Sequence, residues 1–176
     1  MKLKFYDPFV IETDIKGDLE FFSPYIENSK WVDSNVLYGK RIPEITGNKP
    51  MQRHFIKHIE NYDMKLKKYV MNLFKKFGIK TRDFRSDFFL VKEGGYMPAH
   101  IDSQSLTAIL LPLSENTGKL VCETENTRFE ILYQNLIILN TQILHTVESP
   151  TKDRLLFRIG LHDVPFENIR NFLNGL

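Results

Sequence analysis

Five histidines occur in this chain, His54, His58, His100, His145 and His162, and two of them have neighbours that could share a metal ion. His100 and Asp102 are separated by one residue, Ile101. The local pattern predicts a short strand starting at His100, and on a strand residues i and i+2 project from the same face. Imidazole and carboxylate would then point into one space. A second histidine completes the 2-His-1-carboxylate facial triad, which binds iron(II) and leaves open positions for substrate and dioxygen. His145 follows Asp102 by 43 residues, at the end of an apolar run. That distance allows several strands to pass before the chain returns beside its earlier part.

Two arginines add to this set. Arg154 follows His145 by nine residues and Arg158 comes four later. Residues 154–161 predict a strand in which Arg154, Leu156 and Arg158 share one face, while Leu155, Phe157, Ile159 and Leu161 share the other. Two guanidinium groups on one face of an apolar strand do not suit a plain core, because burying an unpaired charge costs several kcal/mol or more. A bound dicarboxylate would offset that cost, since arginine grips a carboxylate through two parallel charge-assisted hydrogen bonds.

The elements that must position these groups differ between the two halves. Residues 1–82 are mixed. Lys4 to Val10 predicts a short strand, and Asp18 to Glu27 a short helix interrupted by Pro24. Residues 38–50, with Gly39, Pro43, Gly47 and Pro50, predict a loop. From Pro50, the apolar residues Phe55, Ile59, Tyr62, Leu66, Tyr69, Val70, Leu73, Phe74 and Phe77 recur at spacings that predict one helix of about 25 residues, ended by Gly78. Beyond residue 86 the chain predicts strands: Asp87–Lys92, the short one at His100, Leu106–Leu113 with Pro112 near a sheet edge, a hairpin of Lys119–Thr124 with Arg128–Tyr133, then Leu136–Leu139, Ile143–Val147 and Arg154–Leu161. So many short strands favour a sandwich or barrel, of which a jelly roll is one form.

His100-x-Asp102, His145 and then Arg154 resemble the signature of the iron(II)/2-oxoglutarate-dependent dioxygenases. The lead-in Val91-Lys92-Glu93-Gly94-Gly95-Tyr96-Met97-Pro98-Ala99 is similar to the prolyl hydroxylase-like branch. The run Leu139-Asn140-Thr141-Gln142-Ile143-Leu144-His145-Thr146-Val147 is similar to the strand that carries the distal histidine there and in the aspartyl/asparaginyl hydroxylase-like branch. The resemblance covers roughly residues 86 to 163. It implies a mainly β fold with N-terminal helices, built on a double-stranded β-helix (jelly roll, cupin-like). It implies iron(II), Fe(II), held by His100, Asp102 and His145, with 2-oxoglutarate as co-substrate and O2 as oxidant. Arg154 would pair with the distal carboxylate, and Arg158 would hold the co-substrate's other end or an anionic group of the substrate. Thr107 and Tyr96 are the candidates for a residue that helps Arg154. The implied reaction is hydroxylation of an amino-acid or protein side chain, with 2-oxoglutarate converted to succinate and CO2. The branch that dealkylates nucleic acids places its second arginine further along than Arg158, which tells against a nucleic-acid substrate. Two other readings stand beside this one: a cupin-like metal-binding protein or isomerase that does not use 2-oxoglutarate, and a metal-free interaction domain in which His100 and His145 are hydrogen-bonded core residues.

Length and composition are compatible with this. The chain has 176 residues, 42% of them hydrophobic, with 14 Phe and 7 Tyr, which suits one domain with a substantial core. The expected division is 1–82 as mixed support, 83–165 as the jelly-roll core, and 166–176 as a tail or short helix. The one cysteine, Cys122, cannot form an internal bridge and is expected to be a small core residue. No apolar run reaches the roughly 18 residues of a membrane span, and no signal-peptide pattern opens the chain, so a cytoplasmic protein with no membrane is expected. Net charge is +2 and names no partner. Lys65, Lys67, Lys68, Lys75, Lys76, Lys80, Arg82 and Arg85 form a basic stretch, read as a solvated helix face. His54 and His58 stand four apart on the expected helix and read as solvated. His162 and Asp163 read as a strand end, and Trp31 as a partly buried structural residue.

Overall fold

The computed structural model describes residues 1–27, 31–33, 52–59 and 62–175. Most strands belong to one long curled sheet. Strands β1 (Leu3–Tyr6) and β2 (Val10–Thr13) form a hairpin at one end. Next come β9 (Ile137–Asn140), β6 (Thr107–Pro112), β11 (Arg154–Leu161) and β5 (Phe84–His100), each antiparallel to its neighbour. On the far side of β5, its first half also pairs with β4 (Gln52–His58), which pairs with β3 (Val32–Asp33). Its last residues pair with β10 (Leu144–Val147), followed by β7 (Leu120–Glu123) and β8 (Arg128–Ile131).

The turn of the roll lies within β5. The two strands expected at Asp87–Lys92 and at His100 are one 17-residue strand. Residues 84–91 lie beside β11, and Met97 and His100 lie beside β10. Between them Gly94 adopts a φ of 68°, a conformation open to glycine at little cost. The 149–153 turn fixes this bend: Gly94 N–H donates to the Pro150 carbonyl at 2.9 Å and Glu93 N–H to Asp153 Oδ1 at 3.0 Å.

Period-two alternation then sorts the side chains into two cores. Ile11, Ile109, Leu111, Ile138, Phe157, Ile159 and Leu161 face a layer of helices: α1 (Leu19–Glu27), α2 (Met64–Lys76) and α3 (Phe166–Asn174). Their contributions include Phe22, Leu66, Val70, Leu73, Phe74, Phe166, Ile169 and Leu173. The intervening residues Val10, Ala108, Leu110, Ile137, Leu139 and Leu156 face inward and meet Leu120, Cys122, Ile131, Tyr133 and Val147 from the opposite wall. Trp31 packs at the border of the helix-side core.

Three expectations are corrected. Residues 52–58 are a strand, so the long helix is only the 13 residues Met64–Lys76, and His54 and His58 pair with β5 opposite Val91 and Asp87 rather than sharing a helix face. The helix begins where Asp63 caps it, its carboxylate accepting from Leu66 N–H at 2.8 Å. Lys4–Val10 spans a hairpin, with β1 and β2 on either side of a turn. Pro112 is not at a sheet edge: β6 lies between β9 and β11, and its pairing with β9 ends at Leu110, so the missing N–H interrupts no ladder. The loop expected at 38–50 lies outside the described residues. The lysines of α2 are exposed.

Candidate metal centre

His100 is the last residue of β5, and His145 is the residue directly opposite it on β10. Directly opposed residues project to the same side of a sheet, and the two imidazole centroids lie 4.4 Å apart. Each ring is fixed in the same way. His100 Nδ1 lies 2.8 Å from the Pro98 carbonyl, and His145 Nδ1 lies 2.8 Å from that of Ile143. A carbonyl only accepts, so each Nδ1 carries the proton and each Nε2 presents a lone pair to the interior.

Asp102 lies just past the end of β5 rather than on a strand, which corrects the expected start of a strand at His100. Its backbone is nevertheless tied in: its N–H donates to the Thr141 carbonyl at 3.1 Å, and its carbonyl accepts from Gln142 Nε2 at 3.1 Å. Asp102 Oδ1 thereby stands 3.3 Å from His100 Nε2 and 3.9 Å from His145 Nε2. All three donor atoms lie within 4.8 Å of one another. Two donors at right angles on a cation with bonds of roughly 2.1 Å stand about 3 Å apart, so small side-chain shifts close this set around one ion.

The charge states suit a cation. Burial alone would raise the Asp102 carboxyl, but the Arg158 guanidinium, with His100 and His145, holds it well below the usual carboxylate range. Burial, then the neighbouring His100, pushes the His145 imidazole down to about 4, so it is neutral at pH 7. An ionised carboxylate and a neutral imidazole are the forms that ligate a metal.

The three groups open into a cavity between the two walls of the roll, lined also by Val91, Met97, Leu110, Leu156, Arg154 and Arg158. The arginines of β11 share this face, as the alternation predicts, but their surroundings differ. Arg154 is 3% exposed. Its Nε donates to Asn116 Oδ1 at 2.9 Å, an Nη donates to the Tyr133 hydroxyl, and the guanidinium lies 5.6 Å from the Tyr133 ring centre. Among the described residues, no carboxylate pairs with it. Arg158 instead holds Asp102 Oδ2 at 2.6 Å and stands 3.7 Å from Asp87 Oδ2.

Thr107 and Tyr96 do not line the cavity. Thr107 alternates with Ala108 onto the helix side, where its hydroxyl donates to the Val164 carbonyl. Tyr96 likewise alternates with the cavity-lining Met97. The groups that touch Arg154 are Tyr133 and Asn116, which sequence spacing did not reveal. Asp87 was also missed, although a carboxylate inside the apolar strand Asp87-Phe88-Phe89-Leu90-Val91 was a signal for a buried partner. His162 reaches the cavity mouth and its Nδ1 lies 2.8 Å from Asp83 Oδ1. Cys122 is buried in the interior core, and burial pushes its thiol up to about 12.

No protein-family model and no curated protein matches this sequence. Solved structures do. HygX from Streptomyces hygroscopicus, with nickel, 2-oxoglutarate and hygromycin B bound, is 12% identical with a TM-score of 0.57, covering 89% of this chain and 83% of that one. A prolyl hydroxylase from Trichoplax adhaerens, in complex with a hypoxia inducible factor oxygen degradation domain peptide fragment, is 16% identical with a TM-score of 0.53, covering 78% and 76%. A Pseudomonas putida prolyl-4-hydroxylase is 14% identical with a TM-score of 0.50, covering 82% and 98%. At these identities the likeness is one of fold. The mainly β jelly roll expected from the sequence is present, and these three structures share it. Among the described residues no helix is long and apolar enough to cross a membrane.

Proposed function

We propose that this protein is an iron(II)/2-oxoglutarate-dependent oxygenase that hydroxylates an amino-acid or peptide side chain. One observation carries the reading: a buried arginine without a carboxylate partner among the described residues shares a cavity with a His-Asp-His cluster. A buried cation with only neutral partners is costly unless an anion joins it.

In this reading His100, Asp102 and His145 hold iron(II), which when bound activates O2 with electrons from 2-oxoglutarate. The chain's own residues do the rest. Arg154 grips the distal carboxylate of 2-oxoglutarate, with Tyr133 and Asn116 holding the guanidinium in place. Val91, Met97, Leu110 and Leu156 exclude water from the space between that carboxylate and the metal ligands, and so strengthen both interactions. The Nδ1–H contacts of His100 and His145 keep both Nε2 atoms aimed at the metal. The mouth beside Ile101–Ser105 admits the substrate. A peptide or small-molecule substrate is supported by the ligands named with the Trichoplax and Streptomyces structures.

The test is succinate formation from 2-oxoglutarate with iron(II) and O2, against a panel of amino acids and peptides. Wild type is expected to form succinate, and His145→Ala to lose bound iron and turnover together. Full turnover by His145→Ala would remove His145 from the site. A wild type that binds iron but neither binds nor consumes 2-oxoglutarate would favour a cupin-like metal protein.

A further inference from the structure

Asp102 presents its two oxygens to different partners. Oδ1 faces His100 Nε2 at 3.3 Å and His145 Nε2 at 3.9 Å. Oδ2 faces away from them, against an Nη of Arg158 at 2.6 Å. A carboxylate can ligate a cation through one oxygen or both. A short charge-assisted hydrogen bond on one oxygen competes with the second mode.

Arg158 is itself held from several sides. The same Nη lies 3.2 Å from the Ser105 hydroxyl, and the other stands 3.7 Å from Oδ2 of Asp87, which is 2% exposed. The guanidinium lies 5.4 Å from the Phe89 ring centre. Asp87 Oδ1 in turn accepts from Arg85 Nε at 3.2 Å, near the cavity mouth. The β11–β5 register sets Arg158 directly opposite Asp87, so backbone pairing fixes this arrangement. The space for Ser105 comes from Gly160, where a Cβ would stand 2.6 Å from the Ser105 hydroxyl oxygen.

We propose that Arg158, braced by Asp87, is a positioning residue that restricts Asp102 to one-oxygen ligation and so keeps a coordination position open for the co-substrate. This rests on the metal-site reading above. Its consequence is that Arg158 grips neither 2-oxoglutarate nor the substrate; it acts through Asp102. Arg158 also offsets the charge of Asp102, so the bound metal keeps a stronger attraction for an anionic ligand.

Cobalt(II) is the probe, because its visible absorption reports coordination number without turnover. Wild type, Arg158→Gln, Arg158→Lys, Asp87→Asn and His145→Ala are loaded with cobalt(II) and titrated with 2-oxoglutarate. Wild type and Arg158→Gln are expected to bind one cobalt each with different spectra. In Arg158→Gln, 2-oxoglutarate affinity should fall about tenfold as Asp102 closes on the metal with both oxygens. Arg158→Lys keeps the charge but not the two-armed fork, so it should lie between the two, and Asp87→Asn should shift in the same direction by less. If Arg158→Gln does not fold, Arg158→Lys and Asp87→Asn carry the test. Spectra and 2-oxoglutarate affinities equal to wild type in the folded variants would overturn the proposal and leave the metal site standing. Cobalt binding by wild type no better than by His145→Ala would remove the metal site, and the proposal with it.

Discussion

Arg154 and Arg158 are the same residue type on the same face of the same strand, four positions apart, and their surroundings are opposite. Arg158, near the mouth, is satisfied by the protein's own carboxylates, Asp102 and Asp87. Arg154, deep in the roll, touches a hydroxyl, an amide and an aromatic ring. Position on the strand accounts for the difference. Opposite Arg158 on β5 stands Asp87, and opposite Arg154 stands Val91. In the proposed reading, one arginine is thus part of the scaffold that shapes the site, and the other is left for a ligand. A buried guanidinium whose neighbours are neutral marks where an anion belongs more clearly than one already paired.

The largest effect expected from breaking this contrast is at Arg154. Arg154→Met should raise the KM for 2-oxoglutarate by about 10- to 100-fold, since a hydrogen bond to a charged group is worth roughly 1.5–3 kcal/mol and each 1.4 kcal/mol is tenfold. Metal binding should be unchanged, as measured by titration with nickel(II). An unchanged KM would mean that the two arginines do not differ in the way described.

Acidification gives a second effect, on the metal-free protein. His145 has its imidazole lowered to about 4 in the fold, so between about pH 6.5 and 4 the unfolded chain takes up a proton that the native protein refuses. Asp102 is also lowered, so it favours the native state above its ordinary range and that contribution is lost as pH falls. Both signs agree: stability falls with falling pH, starting near 6.5. Urea denaturation at a series of pH values checks this, and the variant His145→Gln should have a flatter profile between pH 6.5 and 4.

The smallest effect on ligand binding is expected at the Arg158 end. Gly160→Ala places a methyl group against Ser105, at a cost of about 1–3 kcal/mol for overpacking. The melting temperature should fall by a few degrees, with 2-oxoglutarate still bound, because Arg154 is untouched. A melting temperature equal to that of wild type would show that Ser105 yields freely.

Much of this was legible in the sequence where a single periodicity governed a whole element. Residues 154–161 form the expected strand with the expected faces, because alternation in a long strand is unambiguous. The hairpin around Glu125-Asn126-Thr127 and the strands at 137–140 and 144–147 follow from short apolar runs bounded by turn residues. Strand β4 was not legible as a strand. Phe55 and Ile59 happen to continue the three-and-four spacing of the helix that follows, and only Asp63, a capping residue, marked the true start. Likewise the bend at Gly94 joins what read as two strands, because a residue with positive φ can turn a strand without ending it. At the site, His100, Asp102 and His145 were suggested by spacing and are brought within 4.8 Å. Asn116 and Tyr133 were not, since their approach to Arg154 comes from how separate strands fold together and leaves no periodic trace.

The most direct test of the contrast between the two arginines uses the ligand rather than the protein. Nickel(II)-loaded wild type would be titrated calorimetrically with 2-oxoglutarate and with 2-oxobutanoate, which keeps the keto acid but lacks the distal carboxylate. Arg154, buried without a carboxylate of its own, predicts that 2-oxoglutarate binds at least tenfold more tightly. Equal affinities would contradict the assignment of Arg154 to that carboxylate.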